Sequence, residues 1–164
     1  MRYLLLTLTL LLVVSLAGCG FQLRGSYQLP PQLQQATISA PQFSEVAEQV
    51  RQRFTLAGVD VVETSNTDTT AIEIVRDSLT RRTLSLSASG QVAEYELIYT
   101  VDYLLRAPNK TAKALQVEVF RDYQDDPNFA LAKTREREVL VAEMREQAAQ
   151  QVLRQVIAQL AESP

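Results

Sequence analysis

The 164 residues carry 16 Lys and Arg against 19 Asp and Glu, with one cysteine and no histidine. A net charge of −3 gives no electrostatic footprint for nucleic acid, and the missing histidine removes the usual general base and the commonest zinc ligand. Five glycines, at 18, 20, 25, 58 and 90, make no phosphate-cradling loop, which leaves binding or scaffolding as the expected class, with no enzyme activity, metal or soluble cofactor.

The chain opens with Arg2 and an apolar run over residues 4–16 broken only by Thr7, Thr9 and Ser15. That is the length of a secretion signal and too short to span a bilayer comfortably. Leu16, Ala17 and Gly18 supply the small residues a signal peptidase needs, and Cys19 supplies a thiol for thioether attachment of diacylglycerol. As the only cysteine, Cys19 has no disulfide partner in the chain, and a lone thiol in an oxidising compartment is a liability unless it is chemically used. Residues 1–18 are therefore expected to be a lipoprotein signal peptide. Cys19 then begins the mature protein, carrying S-diacylglycerol and an N-linked acyl chain such as palmitate. Each buried methylene contributes roughly 0.8 kcal/mol to membrane attachment, so the anchor suffices without the domain touching lipid. Gly20 stands where, by resemblance to Gram-negative lipoproteins, a residue other than aspartate favours the outer membrane.

Residues 19–35 read as a lipidated tether, rich in glutamine and containing Pro30 and Pro31. Phe21, Leu23, Tyr27 and Leu29 fall at even steps, which suits contact along a partner in a strand-like conformation. Residues 36–164 are expected to form a single α+β domain. A short strand over residues 36–40 stops at Pro41. Ser44 is a helix N-cap followed by Glu45 and Glu48, and Val46, Val50, Phe54 and Ala57 form one apolar face before Gly58. An edge segment over residues 59–62 and a polar loop come next. From Ala71 the period becomes two, with Ile72 and Ile74 inward and Leu84, Leu86 and Ala88 resuming after a polar stretch; Leu79 breaks phase and suggests a bulge. After a turn at Ser89, Gly90 and Gln91, residues 92–106 are the strongest strand, with Ala93, Tyr95, Leu97, Tyr99, Val101, Tyr103 and Leu105 on one face. Pro108, Asn109 and Lys110 turn the chain into a further strand over residues 111–123, giving two consecutive hairpins.

Asp122, Asp125 and Asp126 lack the spacing of a calcium loop, and the plainer expectation is that Asp126 caps a helix start with Pro127 in its first turn. The last segment is a long amphipathic helix, because Val141, Met144, Ala148, Val152, Val156 and Leu160 recur at steps of three and four. The expected architecture is two helices on one face of a largely antiparallel four-stranded sheet, a two-layer sandwich.

Three runs stand out together: Cys19, Gly20, Phe21, Gln22, Leu23 and Arg24; Gly90, Gln91, Val92, Ala93, Glu94 and Tyr95; and Val119, Phe120 and Arg121 followed by residues 126–133, which end in Lys133. In these the chain resembles the LptE family of lipopolysaccharide-assembly lipoproteins. The resemblance implies a non-catalytic outer-membrane lipoprotein on the periplasmic side whose domain plugs the lumen of an LptD-type β-barrel, with Phe21, Leu23, Arg24 and Tyr27 as candidate partner contacts. It also implies lipopolysaccharide binding through a basic sheet edge that includes Lys133. The family's second basic position corresponds here to Ala88 or Ser89, a departure from the pattern. Because guanidinium and ammonium groups beside apolar surface suit a phosphorylated glycolipid, Arg76, Arg81, Arg82 and Lys133 are the candidates. Arg81 and Arg82 point to opposite faces of a strand, so only one can join a given patch. The competing expectation is an accessory lipoprotein of another envelope lipid-transport system, without a barrel partner.

Overall fold

The computed structural model describes residues 2–3, 28–64 and 66–162. Leu29 to Gln35, expected in the tether, belong to the fold. Pro30 and Pro31 favour a tight turn, and the 3-10 turn Pro31–Leu33 is closed by the Leu33 amide donating to the Pro30 carbonyl at 2.8 Å. It delivers Leu33 into the core, fully buried, and the Thr70 hydroxyl fixes it by donating to the Gln32 carbonyl at 2.6 Å.

Strand β1 (Gln35–Ser39) leads to helix α1 (Glu45–Leu56) and back to β2 (Asp60–Val62), which lies parallel to β1. Helix α1 starts where expected: the Ala47 amide donates to the Ser44 hydroxyl at 3.3 Å, with Glu45 and Glu48 complementing the positive end of the helix dipole. It stops at Gly58, whose φ of +93° permits the left-handed turn in which the Val59 amide reaches the Phe54 carbonyl and the Gly58 amide reaches that of Thr55. Val46, Ala47, Val50 and Phe54 form its buried stripe.

The meander β3 (Thr70–Leu86), β4 (Val92–Arg106) and β5 (Lys113–Gln124) follows, with both hairpins antiparallel. Strand β3 also pairs parallel with β1, giving one five-stranded sheet in the order β2-β1-β3-β4-β5. The sheet is thus mixed and five-stranded rather than largely antiparallel and four-stranded. The β1–α1–β2 crossover brings the short edge segment in parallel, and three residues of it carry no alternation to read. The break in phase on β3 also has a different location. The register shifts between Ile74 and Arg76, so Val75 is the extra residue, and again between Thr83 and Leu86, whereas Leu79 pairs regularly with Tyr99. Leu84 and Leu86 do not resume the core face; both are exposed.

Helix α2 (Ala130–Ala161) covers the face that bears Tyr99, Val101, Tyr103 and Leu105, beside α1. Met144, Ala148, Ala149, Val152, Leu153, Val156 and Leu160 supply its buried stripe. Ion pairs Arg145–Glu45, at 2.6 Å, and Arg53–Glu146 link the helices. Partly exposed pairs of this kind contribute at most about 1 kcal/mol each. Fully burying one Phe54 or Met144 is worth roughly 1.5–3 kcal/mol, so apolar burial holds the layer. Among the described residues, no helix is long and apolar enough to cross a membrane.

Candidate functional site

Two elements project past this core on the same side. Strands β3 and β4 run beyond the helix layer, and β3 is mostly exposed from Val75 to Leu86. Helix α2 begins eleven residues before its first buried position, Val141, because Asp126 starts it early: the Asp126 carboxylate accepts from the Asn128 amide at 2.9 Å and caps the 3-10 turn Pro127–Phe129 that runs into Ala130. Between the two overhangs lies a cleft of about 640 Å³, lined on the strand side by Leu79, Arg81, Tyr95 and Leu97 and on the helix side by Ala130, Lys133, Thr134 and Arg137. Tyr123 and Asp125, at the end of β5, close its base.

Arg81 enters the cleft because, after the Val75 bulge, odd-numbered residues of β3 face the helices. Its register partner is Leu97, and its guanidinium lies 4.8 Å from the centroid of the Tyr95 ring. Lys133 enters from the fourth residue of the α2 overhang. Its Nζ pairs with Glu136 at 2.9 Å and stands 5.5 Å from the Tyr123 ring centroid, while the Tyr123 hydroxyl donates to the Lys133 carbonyl at 2.9 Å. The Glu136 contact raises the Lys133 ammonium above the usual lysine range, so it is cationic at any physiological pH. Burial pushes the Tyr123 phenol up, keeping it a neutral donor.

Arg76 and Arg82 are not in the cleft. They pair in register with Asp102 and Glu96 on the sheet face that no helix among the described residues covers, in ion pairs of 2.8 and 2.6 Å. Arg76 and the Gln116 amide hold the Asp102 carboxyl below its ordinary range. The expectation that adjacent Arg81 and Arg82 would part to opposite faces holds. Arg137 was not among the sequence candidates. Residues 134–138 carried no sequence-based expectation, and the available signal was the four-residue step from Lys133, one helical turn on. Ala88 and Ser89 lie in the β3–β4 turn and line no part of the cleft. Cys19, Phe21, Leu23, Arg24 and Tyr27 lie outside the described residues.

The root of the overhanging hairpin is fixed by polar contacts. The Tyr99 hydroxyl donates to the Asp77 carboxylate at 2.5 Å, and Arg145 of α2 stands 6.0 Å from the Tyr99 ring centroid while pairing with Glu45 of α1. Strand and helix layers are tied further along by Tyr103, which donates to Gln155 at 2.8 Å, and by Arg121, which donates to Gln147 at 2.6 Å.

A family model described as lipopolysaccharide-assembly, LptE, matches residues 33–156, three quarters of the chain and both sides of the cleft. The chain belongs to the LptE family. A relative from Pectobacterium atrosepticum, named LPS-assembly lipoprotein LptE, is 38% identical over 96% of this chain and 87% of its own. One of the same name from Yersinia pestis is 41% identical over 96% of this chain and 77% of its own. Among solved structures, rare lipoprotein B from Shewanella oneidensis is similar with a TM-score of 0.70 and 43% identity, covering 76% of this chain and 95% of that one. LptE proteins are non-enzymatic lipoproteins of lipopolysaccharide assembly, so this chain is an envelope lipoprotein of that system and no enzyme.

Proposed function

We propose that this lipoprotein assembles with an outer-membrane β-barrel of the LptD type, plugs its lumen, and helps deliver lipopolysaccharide to the outer leaflet, binding the glycolipid in the basic cleft. The observation that carries the lipid part is the convergence of Arg81 and Lys133, from different layers, beside the apolar walls of Leu79 and Leu97. Phosphate oxygens would find donors there, and acyl chain would find surface. Family membership supports the rest, together with the uncovered sheet face. That face mixes Val75, Ile98, Leu104 and Phe120 with the Arg76–Asp102 and Arg82–Glu96 pairs, a polarity suited to a wet protein interface rather than to lipid. Cys19 would carry the acyl and diacylglycerol groups, and the segment bearing Phe21, Leu23, Arg24 and Tyr27 would lie against the partner near the membrane.

The test is co-purification. Affinity-tagged protein extracted from outer membranes in mild detergent should bring down an LptD-type barrel in a fixed ratio. Recovery of the lipoprotein alone, from cells that contain the barrel, would overturn the plug reading.

A further inference from the structure

Resting on the barrel partnership above, we infer that Phe43 is a docking residue, offered by the turn from Pro41 to Ser44 to an apolar pocket, rimmed by basic side chains, in the wall of the barrel protein. Among the described large apolar side chains Phe43 is the most exposed, at 94%. It also has φ of +64°, in the left-handed region that glycine and asparagine favour and that strains a bulky residue. The Ser44 amide donates to the Pro41 carbonyl at 3.4 Å, so Phe43 stands third in a tight turn, where a positive φ calls for glycine.

Nothing in the fold asks for a phenyl ring there. Phe43 directly precedes Ser44, the N-cap of α1, and an apolar residue in that place commonly packs on the fourth residue of the helix. Here that residue is Glu48, which pairs with Arg51 instead. The ring neither staples the helix nor enters the core, so no packing within the domain offsets the strain of the turn. A strained backbone that presents an aromatic side chain to solvent points to a use for that side chain outside the fold.

The place of the turn and the charge around it indicate the occupant. Strand β1 runs parallel to β3, with Ser39 opposite Glu73, and β3 then continues to Leu86. The turn after β1 is therefore a shoulder beside the projecting hairpin, where a plug inserted hairpin-first would meet the wall. In both ion pairs of the first turn of α1, Glu45–Arg145 and Glu48–Arg51, the carboxylate is the more exposed member. Glu63 and Glu73 line a shallow cavity beside Ser39 with a single cation, Arg106. An outward rim of carboxylates disfavours a phosphate-bearing lipid surface and favours a protein pocket edged by Lys or Arg.

The experiment uses the full lipidated chain in cells that contain the barrel. Phe43→Gly suits the left-handed turn, so its urea midpoint should equal or exceed the parent's, while the barrel recovered with the affinity-tagged chain should fall about tenfold. Benzoylphenylalanine placed at residue 43 should crosslink to the barrel protein on irradiation. Parental recovery by Phe43→Gly, or a crosslink to lipid rather than to the barrel, overturns the docking role and leaves the plug reading in place. A urea midpoint below the parent's does the same, since it would show the ring to support the fold. If the unsubstituted chain recovers no barrel, both readings fall.

Discussion

The phenols of Tyr99 and Tyr103 lie on the covered face of β4, and burial pushes both well above the usual tyrosine range. Tyr99 is raised further by the Asp77 carboxylate its hydroxyl donates to. A phenol whose folded pKa is raised adds stability that is complete below its unfolded pKa, near 10, and is lost as pH climbs beyond it. The urea midpoint should therefore hold to about pH 9.5 and fall steeply through pH 11. Tyr99→Phe and Tyr103→Phe should each flatten that fall; an alkaline limb of parental slope in both would contradict the assignment. At neutral pH, Tyr103→Phe leaves only the partly exposed Gln155 amide without its donor, whereas Tyr99→Phe leaves the Asp77 carboxylate without its phenol. Water reaches both partners, since Asp77 is exposed and Gln155 partly exposed, so each change should cost at most about 1 kcal/mol at neutral pH.

At the scale of elements, the projecting parts of β3, β4 and α2 have few apolar neighbours, whereas the segment from Val141 to Leu160 is packed on the sheet. Amide hydrogen exchange should accordingly separate α2 into two units, with residues 130–140 opening well before residues 141–160, and should place β3 from Thr80 onward with the faster group. Uniform protection along all of α2 would show the overhang to be as firmly held as the core. The same division explains what the sequence disclosed. The α2 stripe, the β4 alternation and the cap-to-glycine span of α1 were legible because burial imposes a period, and there the expected elements match the observed ones. The start of α2 was legible only as a cap at Asp126, since a solvated helix carries no apolar period before Val141. The Val75 bulge was misplaced to Leu79 because one extra residue reverses the faces of all that follow. The sequence showed the phase to be broken, but nothing local marked where. Parallel pairing of β2 was invisible, being a consequence of the crossover rather than of the three residues concerned. Of the four basic candidates, Arg81 and Lys133, the latter pointed to by the family resemblance, line the cleft and Arg76 and Arg82 do not. Arg137 did not stand out, because its neighbours Glu136 and Glu138 give it the look of an ordinary solvated charge.

For the whole molecule, anchor and domain divide the work. Among the described residues, the hydrophobic core is assembled from residues 33–160, with Leu29 packed against it. If the proposed anchor and barrel partner are right, Cys19→Ala should leave the thermal midpoint and far-ultraviolet spectrum of the domain unchanged while lowering severalfold the fraction recovered with an LptD-type barrel. A variant that misfolds without its lipid would contradict that independence.

Strand β5 closes the sheet on one side and, among the described residues, pairs over its twelve residues only with β4. Away from any partner, its other ladder of amides and carbonyls is an open template on which a further strand, including one from another copy, can align. Lys113, Glu118, Arg121 and Asp122 interrupt that template with charge at intervals too short for a smooth β-zipper. Charge along that open edge makes it a poor template for a further strand, so the solubility of the domain, as much as its binding, is written there.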